Sequence, residues 1–212
     1  MTSIGIVGGT GRQGFALAKR LLELNYYIVI GSRSSEKGAM KAKELNSDLV
    51  SGGSNQDAAK CDIIVLAIPF DQVQLLLTPF LNYLPGKIIM DLTVQLVKGK
   101  YPSVEKTNDM SSYEYIRELF PESNVVSLLK TISFIDLEGD APIHQVDFQM
   151  TTSDEAYNFT SNLVKHFGLT PVRVRGKFHA HTIERMVALA FQLNKEYPGS
   201  HIGFQLTNLK LE

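Results

Sequence analysis

A strand, a glycine-rich turn, a helix and a second strand follow one another without interruption near the start of this sequence. The apolar run of residues 4–8 is typical of a strand buried on both faces. Residues 9–14 then fit the pattern G-x-G-x-x-G, and apolar residues recur at helical spacing after them. A second apolar run ends at Ile30, about twenty residues beyond the turn. This order predicts a β-α-β unit that binds a dinucleotide, whereas the turn taken alone could be only a turn.

Each glycine of the turn is expected to have its own physical role. Gly9 lets the backbone turn sharply out of the strand, and Gly11 removes the Cβ that would block a pyrophosphate. Gly14 lets the new helix pack close to the sheet. The unpaired amides and the positive end of the helix dipole then face the phosphates.

The residues after the second strand indicate which dinucleotide binds. Proteins that bind NAD usually carry Asp or Glu there, which accepts a hydrogen bond from the ribose 2′-hydroxyl. This chain has Gly31, Ser32 and Arg33 instead, and Lys37 lies one turn into the next predicted helix. Arg33 can stack on the adenine and bind a 2′-phosphate through two donors, Ser32 can donate to that phosphate, and Lys37 adds positive charge. We therefore expect NADP(H); the alternative is an ordinary solvated basic helix start.

Apolar strands and helical stretches keep alternating through the first 135 residues. The further predicted strands lie at residues 49–52, 62–68, 87–91 and 125–128. The further predicted helices lie at residues 36–45, 55–60, 71–83 and 111–120, and residues 99–110 are predicted to form a loop or flap. Strands separated by helices imply a parallel, doubly wound sheet, the α/β fold of Rossmann type. We assign residues 1–135 to this NADP-binding domain.

Residues 136–212 are predicted to form a small C-terminal α+β portion packed on that domain. Strands are expected at residues 146–150 and 171–174, and helices at residues 154–166 and 178–197. The last helix carries Met186, Phe191 and Leu193, more apolar surface than an exposed terminal helix should show. It therefore either forms a homodimer interface or covers the sheet.

The predicted crevice lies beyond the carboxyl ends of the strands, where ligands bind in sheets of this type. Ala67 and Ile68 end one predicted strand, Pro69 follows it, and Val94 follows the next strand. Ile68, Pro69 and Val94 suit the flat face of a nicotinamide, although core packing at strand ends explains them equally well. Residues 129–134 leave the sixth strand and are expected to cross the nicotinamide side of the crevice.

Composition excludes several classes of partner. The formal net charge of -1 provides no basic surplus for nucleic acid or anionic lipid, and no apolar run approaches the length of a membrane span. A single cysteine, Cys61, excludes an internal disulfide, and with no signal-peptide pattern it favours the cytoplasm. We expect a small-molecule partner or a second copy of the chain.

The sequence reveals neither a metal ligand set nor an evident catalytic acid or base. His179 and His181 are two residues apart and point to different faces of the predicted helix, so they do not form a metal pair. One of them could line the crevice and relay a proton, because histidine titrates near neutral pH. The absence of an acid/base pair agrees with hydride transfer between two cofactors, which requires mainly stacked geometry.

These motifs together resemble the coenzyme F420-dependent NADP oxidoreductase family. The similarity lies in residues 8–11, residues 31–33 with Lys37, residues 57–63, the pair Ile68 and Pro69, and the pair Thr131 and Ile132. The same module resembles the reductase domain of the six-transmembrane epithelial antigen metalloreductases, to which residues 118–126 are also similar.

The resemblance implies an oxidoreductase that exchanges hydride between NADP(H) and a small-molecule electron acceptor. The acceptor would be the deazaflavin coenzyme F420 or a flavin such as FMN or FAD. NADP would be bound by Thr10, Arg12, Gln13, Ser32, Arg33 and Lys37. The second planar cofactor would stack on the nicotinamide near Ile68, Pro69, Val94, Thr131 and Ile132.

Two other functions stay open at this point. One is a soluble reductase of flavins or ferric complexes. The other is a non-catalytic NADP-binding sensor, because residues 8–14 also fit the G-x-x-G-x-x-G of extended short-chain reductases and their inactive relatives. The enzymes of that class use Tyr-x-x-x-Lys on a helix, and here only Tyr83 and Lys87 match. Pro85 and Gly86 between them would break the helix, so we reject a catalytic dyad.

Overall fold

The computed structural model describes residues 1–105 and 109–210. Its strands are β1 Ser3–Val7, β2 Tyr27–Ser32, β3 Val50–Ser54, β4 Ile63–Leu66, β5 Ile88–Asp91, β6 Leu96–Val97, β7 Ser103–Val104, β8 Asn124–Ser127, β9 Val146–Gln149 and β10 Thr170–Arg173. Its helices are α1 Arg12–Leu22, α2 Ser35–Lys43, α3 Asn55–Ala59, α4 Val73–Leu77, α5 Ser112–Leu119, α6 Phe134–Glu138, α7 Asp154–His166 and α8 Phe178–Glu196.

A six-stranded parallel sheet in the order β3-β2-β1-β4-β5-β8 forms the centre of the molecule. Ile4 and Ile6 of β1 belong to one apolar layer, whereas Val7 belongs to the layer on the other face. Both faces are covered, so the strands are continuous apolar runs, as the sequence indicates. The predicted doubly wound α/β fold is confirmed.

The predicted helix over residues 71–83 is wrong as a single element. The structure has a 3-10 turn at Phe70–Gln72, the short helix α4, and a second 3-10 turn at Thr78–Tyr83. Pro79 lies in the second turn, and a proline inside a helix removes one amide donor and clashes with the preceding turn. The side chain of Thr78 also donates to the carbonyl of Gln74 at 2.6 Å. Helical turns run through this segment, but the α-helix ends at Leu77, shortly before Pro79.

The predicted loop over residues 99–110 contains more regular structure than expected. Ser103–Val104 pairs antiparallel with Leu96–Val97, so β6 and β7 form a small hairpin beside the sheet. The amide of Glu105 donates to the carbonyl of Gln95 at 2.9 Å and extends that pairing. Residues 106–108 of the predicted flap lie outside the described residues.

The C-terminal portion contains the predicted strands and helices. β9 and β10 pair in parallel, with α7 between them, and α8 follows. Met150 and Ser127 form an antiparallel bridge that joins this portion to the edge of the main sheet. The proposed division after residue 135 falls within α6 and stays a prediction. No helix in the described part of the chain is long and apolar enough to cross a membrane.

A buried arginine on α1 holds the C-terminal end of α6 and the residues that follow it. Arg20 is 3% exposed, and its guanidinium donates to the carbonyls of Asp136, Leu137, Asp140 and Ala141 at 2.7 to 3.4 Å. Its charge meets the negative end of the α6 dipole, because these carbonyls lie at and beyond the C-terminal end of that short helix. Arg20 therefore fixes the position of residues 136–141.

We predict that Arg20→Met lowers the free energy of unfolding by about 3 kcal/mol, because it leaves several buried carbonyls without a donor. Lys19→Met on the same helix is the control, and we expect it to change stability by less than about 1 kcal/mol. Chemical denaturation measures both. Equal effects of the two substitutions would contradict the role given to Arg20.

Candidate functional site

The glycine-rich turn leaves β1 and begins α1, as predicted, but the sharp bend lies one residue earlier than expected. Gly8 has a φ of 78°, a conformation that favours glycine, and its amide donates to Asn55 Oδ1 at 3.1 Å. Gly9 instead allows close packing, because a Cβ there would lie 3.0 Å from the carbonyl oxygen of Ile6. The role assigned to Gly9 from the sequence therefore belongs to Gly8.

Gly11 and Gly14 have different surroundings. A Cβ on Gly11 would press on one backbone atom, the carbonyl oxygen of Gly8 at 3.2 Å, and would meet no other atom within 4 Å, so the position is open on its other sides. A Cβ on Gly14 would lie 2.9 Å from the Cα of Gly9 and 3.1 Å from the Cβ of Ala67. Gly11 thus keeps space for a ligand, whereas Gly14 brings α1 against the sheet.

A groove of about 640 Å³ lies beyond the carboxyl ends of β1, β2 and β4, and we call it the nucleotide groove. It brings together these residues predicted to bind the cofactor: Thr10, Gly11, Ser32, Arg33, Lys37, Ala67, Ile68 and Pro69. It is also lined by residues that the sequence analysis did not propose: Gly8, Ser34, Asn55, Asp71, Gln72 and Leu76. Asn55 could have been suspected, since it follows directly after β3 at the same edge of the sheet.

Two cations stand at the end of β2 where a ribose 2′-phosphate would lie. Arg33 is exposed, and neither Arg33 nor Lys37 forms an ion pair within the described residues. Ser34 caps α2 by accepting from the amide of Lys37 at 3.3 Å, and its own hydroxyl donates to Glu36 at 2.6 Å. That hydrogen bond lowers the pKa of the Glu36 carboxyl, so the one acidic side chain of this turn is engaged by Ser34.

Four of the other predicted residues lie outside the lining of the nucleotide groove. Arg12 stands over the ring of Phe134 at 5.3 Å, and Gln13 donates to the carbonyl of Ile132 at 3.2 Å. Thr131 and Ile132 are 6% and 3% exposed, and Ile132 belongs to the apolar core. Since their side chains are buried, any contact of this segment with a ligand would come mainly from its backbone.

A second pocket of about 720 Å³ adjoins the nucleotide groove, and Pro69 and Asp71 line both. Val94, which was predicted to face the nicotinamide, lies in this second pocket. The rings of Phe70 and Tyr115 meet edge to face there with centroids 5.2 Å apart. The remaining lining comes from Gln74, Gln95, Leu96, Val97, Lys98 and Glu105. The sequence analysis identified the crevice but not its division into two pockets.

The histidines and the cysteine contribute little to these pockets. His181 lies 3.5 Å from Glu114, and neither it nor the exposed His179 lines the nucleotide groove or the second pocket. Burial raises the pKa of the Cys61 thiol, as expected for the packed thiol that the sequence indicates. Among the described residues, no group of histidine, cysteine and acidic side chains could hold a metal ion.

The sequence analysis did not predict a buried polar cluster that lies next to the second pocket. Lys130 forms an ion pair with Asp91 at 2.7 Å, and Ser112 accepts from the same lysine at 2.9 Å. Ser112 in turn donates to Glu184 of α8. The one local hint is that Asp91 ends a predicted strand and Lys130 closely follows another, but only the structure shows that these two strands pair.

Comparison with known proteins agrees with this arrangement. Residues 3–95 match the family described as NADP oxidoreductase coenzyme F420-dependent. The F420-dependent NADP reductase of Methanocaldococcus jannaschii is 31% identical over 98% of this chain and 99% of its own length. This chain belongs to the F420-dependent NADP reductase family.

Two more distant similarities were also found, one to a curated protein and one to a solved structure. Mouse metalloreductase STEAP2 is 26% identical over 90% of this chain, which spans 37% of that protein. A crystal structure from Arthrobacter sp. FB24, provisionally described as an F420-dependent NADP reductase, superposes with a TM-score of 0.85. It covers 97% of this chain and 99% of its own at 21% identity, and this similarity supports the fold.

We predict that Gly11→Ala weakens NADPH binding by more than about tenfold and lowers stability less than Gly14→Ala does, because the new methyl group enters the groove and presses on only one backbone atom. Gly14→Ala is the matched control, and it should lower the melting temperature because its Cβ would press on Gly9. NADPH titration and thermal unfolding distinguish the two. Normal NADPH affinity in Gly11→Ala would disprove the placement of the pyrophosphate.

Proposed function

We propose that this protein transfers hydride between NADP(H) and coenzyme F420. The proposal rests on the pair of adjoining pockets. One contains Arg33 and Lys37, which form no ion pair within the described residues, and the other is lined by the rings of Phe70 and Tyr115. The family to which the chain belongs supports the same reaction. We also propose a cytoplasmic location, on the single buried Cys61 and the composition.

The nucleotide groove fits NADP(H). Arg33 and Lys37 would bind the 2′-phosphate, and Ser32 would donate to it from the end of β2. The first turn of α1 would hold the pyrophosphate, because Gly11 leaves space there and no acidic side chain lies in that turn. Ala67, Ile68 and Pro69 would then flank the nicotinamide at the end of β4.

The second pocket fits a planar acceptor. Pro69 lines both pockets, so a ring in the second pocket would approach the nicotinamide at that residue. Phe70, Val94 and Tyr115 would provide flat or apolar contacts, and the Tyr115 hydroxyl is held by Gln74 at 2.8 Å. NADPH supplies a hydride and the deazaflavin accepts it, so the protein mainly orients the two rings and excludes water.

Other features support weaker alternatives. The similarity to STEAP2 favours reduction of flavins or ferric complexes, and the lack of an evident proton donor would also suit an NADP sensor. The exposed side chains of Leu189 and Phe191 on α8 support a homodimer interface, although Met186 and Leu193 are partly buried in the protomer. We keep the homodimer as a proposal.

Purified protein mixed with NADPH and one acceptor at a time tests the proposed reaction. We expect rapid reduction of F420 and slow reduction of FMN, FAD and a ferric chelate, followed by rapid-mixing absorbance. Preferred reduction of a flavin or ferric complex would replace the proposed acceptor. Tight NADPH binding without oxidation by any acceptor would favour the sensor.

Substitution of Arg33 tests the choice of dinucleotide. We predict that Arg33→Asp raises the KM for NADPH by more than about tenfold and affects that for NADH little, because only NADPH carries the 2′-phosphate. Arg185→Asp on the exposed surface of α8 makes the same charge change away from the groove and should alter neither value. Equal losses for both dinucleotides in Arg33→Asp would rule out the 2′-phosphate site.

A further inference from the structure

Lys130 is almost completely buried, and its ammonium group uses all three of its donors. The side chain is 1% exposed, and its partner Asp91 is fully buried. Nζ donates to Asp91 Oδ2 at 2.7 Å, to Ser112 Oγ at 2.9 Å and to the carbonyl of Thr93. A lysine can be buried at acceptable cost when each donor finds an acceptor and its charge is paired.

The three acceptors belong to segments that form one wall of the second pocket. Asp91 ends β5, and it also accepts from the amide and hydroxyl of Thr93 at 2.8 and 2.7 Å. Val94 and Gln95 follow Thr93 directly and line the pocket. Ser112 begins α5, which carries the pocket residue Tyr115. We call residues 93–95 together with the first turn of α5 the pocket wall.

Glu184 of α8 completes the cluster from the other side. Its Oε1 accepts from the amide of Ser112 at 2.9 Å and from the Ser112 hydroxyl. This carboxylate thus meets the positive end of the α5 dipole. Its Oε2 is buried without a hydrogen-bond partner among the described residues. Burial raises the pKa of the Glu184 carboxyl.

The backbone before Lys130 is held in an unusual conformation. Leu129 has a φ of 54°, which is uncommon for a residue with a side chain and is energetically unfavourable. Its amide donates to Asp147 Oδ1 at 2.6 Å, and Asp147 is fully buried. Burial raises the pKa of Asp147 to about 6. Such strain persists when the surrounding structure determines it, and functional sites often contain it.

We propose that Lys130 is a positioning residue that fixes the pocket wall and thereby sets the affinity for the acceptor. Stability alone does not explain it, because apolar groups of similar volume often replace buried ion pairs without loss of stability. The identity of the acceptor rests on the proposed function, whereas the positioning of the wall does not.

Three variants distinguish the loss of the hydrogen bonds that position the pocket wall from the effect of an unpaired buried charge. Lys130→Met removes all three hydrogen bonds, and the double variant Lys130→Met with Asp91→Asn removes them without leaving the Asp91 carboxylate unpaired. Ser112→Ala removes only the hydroxyl that joins Lys130 to Glu184, so it is the variant most certain to fold. Arg20→Met is the matched control, because it removes a buried cation whose partners lie outside the pocket wall.

We expect the double variant to raise the KM for F420 by about tenfold, with NADPH affinity within about twofold of the native value. Ser112→Ala should cause a smaller rise of the same kind, and Arg20→Met none. Hydrogen exchange of the NADPH-bound protein should become faster in the pocket wall of the variants and stay unchanged in the turn at residues 8–14.

A folded double variant with an unchanged KM for F420 and an unchanged rate of hydrogen exchange in the pocket wall would overturn the proposal. If the double variant does not fold, the same two results in Ser112→Ala would overturn it. A native protein that does not reduce F420 would instead disprove the proposed function. In that case faster exchange in the pocket wall would still support the positioning role of Lys130, and unchanged exchange would refute it.

Discussion

The close contact between α1 and the carboxyl ends of β1 and β4 determines where everything else in the site can lie. Gly14 has space for no side chain on this contact, since a Cβ would lie within 3.1 Å of Gly9, Gly8 and Ala67. The helix can therefore begin directly above the sheet, and its amides face the groove beside the end of β4. The nucleotide groove exists because these backbones pack so closely, and we propose that Arg33 and Lys37, which follow β2, provide its specificity.

The features encoded locally were predictable from the sequence. The bounds of α7 and the cations after β2 follow from short local patterns, and the β-α-β unit and the parallel sheet follow from the order of such patterns along the chain. In two misread segments a single residue overrides the pattern. Pro79 stops the helical period after α4, and Gly8 provides the bend that the motif appeared to assign to Gly9.

The buried cluster could not be predicted because its partners are far apart in the chain. Lys130 and Asp91 are separated by 39 residues, and Ser112 and Glu184 by 72. No local pattern requires that pairing, and a lysine or a glutamate in the sequence is usually solvated. It arises when β5 and β8 pair and α8 packs against the start of α5. If Lys130 positions the pocket wall as we propose, acceptor recognition depends on tertiary structure more than dinucleotide recognition does.

Direct transfer of hydride from NADPH to F420 can be followed with an isotope. We would mix the protein with NADPH that carries deuterium at the transferred position of the nicotinamide and analyse the reduced F420 by mass spectrometry. Direct transfer requires that the deuterium is found in the reduced deazaflavin. Reduced F420 without deuterium, or tight NADPH binding with no reduction of F420, would contradict it.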